Sequence, residues 1–305
     1  MKSTHRRDFL KQLASAGGAL AFGASTGLAA ATDWKKQIGL EMYTVRDLTP
    51  KDYEGTLAKV AEIGYKEIEP ASANYANMEP KQFRAMLDRH GITMPSTHIG
   101  ATAGPNLEKE LEGFQIMGLK YTEVRGGGGG GGGQAPPTEE SVKHTAEQLN
   151  THGKLTKKFG MKMLYHNHAQ EFQPFAGKAS RPYDILLAET DPSLVAMQLD
   201  IGWATVAGQN VLEMFKKNPG RFELWHVKDA RGIKNLPSHL NQRERMRAVT
   251  LVPVGTGEID YRPIFAAADV AGMKHFCIEQ DNAADWGDSV AAARVSFEKL
   301  TKLLS

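Results

Sequence analysis

From Lys36 onwards the sequence repeats one unit, a short apolar run followed by a longer stretch with helical spacing, and it does so eight times. The predicted strands are 38–43, 66–69, 93–98, 121–124, 162–166, 195–200, 222–228 and 275–279. Helical periodicity fills the spaces between them, for example over 53–63, 80–90, 107–117 and 139–159. It also closes the chain, with Val290, Ala293, Phe297, Leu300 and Leu304 three or four residues apart. Gly64, Gly91, Gly118, Gly160 and Gly272 each stand just before a predicted strand, where a helix C-cap calls for a left-handed residue. The chain is 305 residues long, which by length alone suggests two domains. Eight strand–helix units instead predict an α/β fold of one domain, a (β/α)8 TIM barrel over residues 32–305.

Residues 1–31 read as a signal peptide. Basic Lys2, Arg6, Arg7 and Lys11 precede a weakly apolar Gly/Ala-rich run, and Ala29-Ala30-Ala31 follow as the small residues a signal peptidase needs. Arg6-Arg7-Asp8-Phe9-Leu10-Lys11 resembles a twin-arginine (Tat) export signal, with His5 where Ser or Thr usually precedes the pair. The apolar run is broken by Gly and shorter than the ~20 residues of a spanning helix. No stable membrane anchor is therefore expected after cleavage, and the expected location is periplasmic or otherwise exported. Removal of 1–31 turns a formal charge of +2 into −1, with 33 basic against 34 acidic residues. The basic balance belongs to the signal and gives no reason to expect a nucleic-acid partner. A hydrophobic content of 41% excludes a disordered chain, and the single Cys277 excludes an intramolecular disulfide and a cysteine-based zinc site.

The ends of the strands carry the chemistry. A buried barrel strand ends in apolar residues unless its C-terminal end has a function. Here the ends hold Glu41 and Tyr43, Glu69, His98, His166 with His168, Asp200, His226 with Lys228, and Glu279. Strand alternation puts Gln198 with Asp200, His226 with Lys228, and Cys277 with Glu279 on common faces. Taken singly, a strand histidine is an ordinary core residue and Asp200 a helix N-cap. Taken together, histidines with carboxylates and no thiolates suit a divalent ion of the Mn, Co or Zn type, or a harder Mg site. The eight consecutive glycines 126–133 follow the fourth strand and lack the spacing of a phosphate-binding loop, so they read as a flexible loop.

Several stretches carry a resemblance. They are Ile38-Gly39-Leu40-Glu41-Met42-Tyr43-Thr44-Val45-Arg46-Asp47, Tyr165-His166-Asn167-His168 with Glu171-Phe172, and Gln198-Leu199-Asp200-Ile201-Gly202-Trp203. His226-Val227-Lys228-Asp229, Gly255-Thr256-Gly257-Glu258-Ile259-Asp260 and Ile278-Glu279 complete the set. In order and spacing the chain resembles the xylose isomerase-like TIM-barrel family, in its sugar phosphate isomerase/epimerase branch. The resemblance implies a divalent metal held by Glu, Asp, His and Glu from strands five to eight. Asp200, His226 and Glu279 match the last three positions. The first holds His166, so either His166 ligates the metal or Glu171 reaches back, and His166 is the favoured choice.

The implied chemistry is proton abstraction beside a carbonyl, through an enediolate that the metal stabilises. Glu279 is a candidate base as well as a ligand, and His98, His168 and Lys228 are candidate proton donors or acceptors. Glu69, Tyr43, Trp203 and Glu171 are candidate substrate contacts. Trp286 and Phe172 are further candidates for an apolar wall. Loss of the strand-five carboxylate weakens the symmetry that two-base epimerisation needs and shifts weight towards a lyase or hydratase acting on a keto-sugar. The expected partner is a small, unphosphorylated carbohydrate, and a homo-oligomer is compatible with the fold. Two other readings stand beside this one. One is a non-catalytic periplasmic sugar-binding protein. The other is an endonuclease IV-like phosphodiesterase, which the near-neutral mature charge disfavours.

Overall fold

The computed structural model describes residues 33–71, 75–125 and 136–305. The expected signal peptide over residues 1–31 and the glycine run 126–133 lie outside the described residues. Among the described residues there are eleven strands: β1 (Ile38–Glu41), β2 (Glu67–Glu69), β3 (Ala101–Thr102), β4 (Tyr121–Thr122), β5 (Val124–Arg125), β6 (Lys162–His166), β7 (Val195–Asp200), β8 (Leu224–Val227), β9 (Asp229–Arg231), β10 (Thr250–Val252) and β11 (His275–Ile278). Seven of them form one parallel sheet in the order β2-β1-β11-β8-β7-β6-β4. Helices connect the strands and pack outside them, which is the (β/α)8 arrangement.

The remaining stave, third in chain order, is the segment 93–98, and here the structure corrects the sequence reading. It is not a regular strand. Its only ladder contact is an isolated parallel bridge from Thr93 to Glu67. Pro95 has no N–H to donate, so a continuous ladder cannot run through it. The segment still closes the barrel. Thr93 exchanges hydrogen bonds with β2 (Ile68 N to Thr93 O, 2.9 Å; Thr93 N to Lys66 O, 3.0 Å), and the Pro95 carbonyl accepts from Lys120 and Tyr121 at 2.8 and 3.0 Å.

Other boundaries also move. The first strand stops at Glu41, where Met42–Val45 turns into a 3-10 helix, and the seventh is Leu224–Val227 rather than 222–228. The antiparallel pair β9–β10, with helix Gln242–Ala248 between its strands, is an addition that the periodicity did not show. The glycine punctuation holds: Gly118 (φ 96°) and Gly272 (φ 79°) end helices in the left-handed region, and the other three have positive φ.

Strand alternation sorts side chains into two layers. Ile38, Leu40, Met163, Val195, Met197, Leu199, Trp225, Val227, Phe276 and Ile278 join the large core. The alternate positions Leu164, Ala196 and Leu224, with Tyr121, form a separate small cluster. Gly39 fits that crowded interior because a Cβ there would stand 2.8 Å from both Cys277 Sγ and the Phe276 carbonyl oxygen.

Beyond β8 the chain folds around one carboxylate. Asp229 accepts hydrogen bonds from the backbone N–H groups of Gly255 and Gly257 (3.0 and 2.9 Å), Ala230 (2.9 Å) and Ile259 (3.2 Å). Gly257 must lack a side chain, since a Cβ would lie 2.2 Å from Asp229 Oδ1. Asp229→Ala leaves these four groups without their acceptor. It is expected to lower the unfolding free energy by at least about 2 kcal/mol, at the 1–3 kcal/mol scale of a single unsatisfied buried group. Urea denaturation measures this, and a change within about 0.5 kcal/mol contradicts the assignment.

Candidate active site

The polar strand ends converge. Parallel register pairs Glu41 with Glu69, Asp200 with His226, and Cys277 with His226. The ionisable side chains of successive strands therefore meet at the C-terminal mouth of the barrel.

His226 is the hub. It is fully buried, with Nε2 2.9 Å from Glu69 Oε1 and Nδ1 2.7 Å from Glu279 Oε2. The Glu69 contact is a hydrogen bond. The Nδ1 contact is not, so Nδ1 and Glu279 Oε2 both remain without a hydrogen-bond partner. Glu69 is itself enclosed: it accepts from Gln198 Nε2 at 2.6 Å and from the Ser96 hydroxyl, and lies 3.7 Å from His98 Nδ1. It grips protein groups, and its contact with His226 fixes that ring.

Asp200 divides its oxygens. Oδ1 caps the helix Ile201–Val206 by accepting from Trp203 N–H at 2.8 Å, so the N-cap reading is correct. Oδ2 faces the cluster, 3.3 Å from Lys228 Nζ and 3.9 Å from His166 Nε2. Lys228 is buried and also lies 2.9 Å from Glu279 Oε2 and 2.6 Å from Asp281 Oδ1. Its ammonium stands 5.5 Å from the Trp203 ring centre.

Four imidazoles crowd together. His166 lies 4.4 Å from His226, 4.8 Å from His168 and 5.0 Å from His98 between ring centres. Neither nitrogen of His166 has a hydrogen-bond partner.

Electrostatics set the charge states. Burial opposes charge on His226, but Glu69 and Glu279 outweigh it and raise its pKa to about 10. Burial likewise opposes charge on His98, and Glu69 and Glu279 bring it up to about 9. Glu69 and Glu279 stay below the usual carboxylate range despite burial, the first because of His226 and the second because of Lys228 and His226. Burial lifts Asp200 to about 6 against the pull of Lys228, and lifts Glu123 to about 7. Burial and the neighbouring histidines keep His166 neutral, and burial with Lys228 lowers His168 to about 3.

The remaining predicted residues fall elsewhere. Glu171 accepts the His168 N–H at 2.9 Å, so it shapes the loop that carries His168. Tyr43 is 40% exposed with the Arg46 guanidinium 3.9 Å over its ring. Phe172 packs in the core against Tyr183, and Trp286 is exposed. Two further residues border this cluster, Glu123 beside His98, Glu69 and the His166 backbone N–H, and Asp281 beside Lys228. Glu123 lay hidden within a run read as an apolar strand, and Asp281 lies past the last strand.

Among the described residues, two sets of side chains could hold a metal. Asp200, His226 and Glu279 each offer a ligand atom, all within 4.8 Å of one another, and so do His98, His166 and His226. Asp200 Oδ2, Glu279 Oε2 and His226 Nδ1 are buried and lack hydrogen-bond partners, which fits a cation between them.

Residues 57–302 match the sequence pattern of the xylose isomerase-like TIM barrel. The inosose dehydratase of Geobacillus kaustophilus (strain HTA426) is 29% identical over 236 residues, 69% of this chain and 73% of that protein. A sugar phosphate isomerase/epimerase from Parabacteroides distasonis ATCC 8503 shares the fold at a TM-score of 0.67 and 21% identity, covering 91% of this chain and 97% of that one. The IolI protein with a zinc atom bound superposes at a TM-score of 0.65 and 14% identity, covering 88% and 98%.

The pairing of His226 with Glu69 can be tested directly. In metal-stripped Glu69→Gln the His226 imidazole loses the carboxylate that its Nε2 hydrogen-bonds, so its pKa is expected to fall well below 10. NMR titration of the ring measures this, and an unchanged His226 titration contradicts the role given to Glu69.

Proposed function

The chain belongs to the xylose isomerase-like TIM barrel family, and on that premise we propose that it is a divalent-metal-dependent sugar isomerase/epimerase-like enzyme that removes water from a keto-sugar or cyclic keto-polyol. The observation that carries this reading is the unlike character of the acid and base groups around the mouth. Glu123 is a carboxyl lifted to about 7, while Asp281, Glu279 and Asp200 hold the buried Lys228 ammonium charged. Environments that push two groups apart in pKa mark one as base and the other as acid. Epimerisation needs matched groups on the two faces of the substrate, and this site has none at the His166 position. The similarity to an inosose dehydratase supports the same choice.

A divalent ion held by Asp200, His226 and Glu279, with His166 beside them, would supply Lewis-acid polarisation of a ketone and its neighbouring hydroxyl. Glu123 takes the proton from the carbon next to the ketone, at a pKa suited to a base near neutrality. Lys228 gives a proton to the hydroxyl on the next carbon as its C–O bond breaks. A carbon–carbon double bond forms, and water leaves. The Trp203 ring beside Lys228 walls the site, and His168 stays neutral to accept a hydrogen bond from a substrate hydroxyl. Lys228 is already shared among three carboxylates, which supports an unphosphorylated substrate. The twin-arginine pattern in residues 1–31 supports export, and sugar phosphates are scarce outside the cytoplasm.

NMR in D2O on inososes and open-chain keto-sugars tests this. The expected result is loss of the substrate signals with appearance of a dehydrated product. A C-epimer carrying deuterium at the reacting carbon contradicts elimination. Tight binding without any proton exchange points to a binding protein instead.

Glu123→Gln is expected to lower kcat by about a hundredfold or more, the usual share of a general base. With Glu123 as base, kcat/KM rises with pH up to an apparent pKa at or below about 7, since a bound cation can only lower the value. The Gln variant should lack that limb.

A further inference from the structure

The histidine at the fifth stave is not alone. His98, from the irregular segment 93–98, has its ring centre 5.0 Å from that of His166 and stacks on His226 at 5.8 Å and 24°. One ring nitrogen from each of the three lies within 4.8 Å of the other two. His98 Nδ1, both nitrogens of His166 and Nδ1 of His226 are buried without hydrogen-bond partners. Crowded imidazoles of this kind normally find acceptors. Glu69 explains why one nitrogen of His226 is taken: it binds Nε2 and leaves Nδ1 for the centre. It does not explain His98, whose Nδ1 lies 3.7 Å away, beyond hydrogen-bonding distance.

His226 also belongs to a second set of three, with Asp200 and Glu279, whose ligand atoms lie within 4.8 Å of one another, so it joins the three imidazoles to two carboxylates. Imidazole donors suit zinc, cobalt and iron, whereas magnesium takes oxygen ligands and keeps its waters. We propose that His98 is a third imidazole ligand of the metal centre, and that His98, His166 and His226 together make the centre select a borderline transition ion of the zinc or cobalt type over magnesium. The proposal rests on the metal-dependent reading above and adds one ligand and an ion class to it. It also moves His98 from proton transfer to metal binding.

Full-length protein is stripped with chelator and titrated with Zn2+, Co2+ and Mg2+ by calorimetry, and the visible spectrum of the Co2+ form is recorded. Wild type should take up one Zn2+ or Co2+ and show no Mg2+ binding at millimolar concentration. His98→Asn should weaken Zn2+ binding at least tenfold, since losing even an outer partner of a ligand costs 10–100-fold. It should also shift the Co2+ band. His166→Glu should restore measurable Mg2+ binding. Thermal melts of the stripped variants show that each is folded, and the double variant His98→Gln, His166→Gln serves if a single one is not.

Unchanged Zn2+ affinity and Co2+ spectrum in His98→Asn, with binding lost in Asp200→Ala, overturn the role of His98 and leave the metal-dependent reading intact. Tight Mg2+ binding by wild type overturns the ion selection. Absence of any divalent ion in wild type overturns the functional reading itself.

Discussion

The clamp on His226 is the interaction on which the rest of the mouth depends. A histidine with no solvent contact lies between Glu69 and Glu279, and each carboxylate would be costly to bury without it. Glu69 in turn gathers Gln198, Ser96 and the neighbourhood of His98, so staves two, three, six and seven are tied at one point. Glu279 passes the charge on to Lys228, and Lys228 to Asp200 and Asp281. The chain alternates anion and cation through a volume that an ordinary barrel fills with aliphatic side chains.

Many of the buried polar atoms left without hydrogen-bond partners gather at this mouth. His226 Nδ1, Glu279 Oε2, Asp200 Oδ2, both nitrogens of His166 and His98 Nδ1 are among them, in two sets of three residues that share His226. A folded protein tolerates a few buried polar atoms without partners, and where they share a site a ligand is the physical explanation. Lys228 lies 3.3 Å from Asp200 and 2.9 Å from Glu279. Asp281 gives its ammonium an alternative partner close by. The site can therefore accept a second cation without leaving Lys228 unpaired.

Much of this was legible beforehand, because barrel geometry converts a one-dimensional pattern into a place. Glycine punctuation and eight apolar runs foretold the barrel, and ionisable residues at the ends of those runs foretold where Asp200, His226, Lys228 and Glu279 would meet. What stayed hidden had physical causes. Pro95 makes the third stave irregular, so its apolar run was read as a strand that the backbone cannot form. Glu123 sits among Tyr121, Thr122 and Val124 and looks like the polar edge of a strand until the fold turns it inward. The Gly255–Asp260 stretch marks a family in sequence, yet its reason appears only in three dimensions, as the backbone that wraps Asp229. Tyr43 shows the opposite failure: it ends an apolar run, but the strand stops two residues earlier, at Glu41, and leaves the ring outside.

The central claim is that the clustered donors at the barrel mouth form a cation site. Anomalous diffraction at the zinc edge, from crystals grown with Zn2+, tests it most directly. The account predicts one strong peak within ligand distance of His226 Nδ1, Asp200 and Glu279, with Lys228 drawn towards Asp281. A map without a peak there, with Lys228 still bridging Glu279 and Asp281, would contradict it.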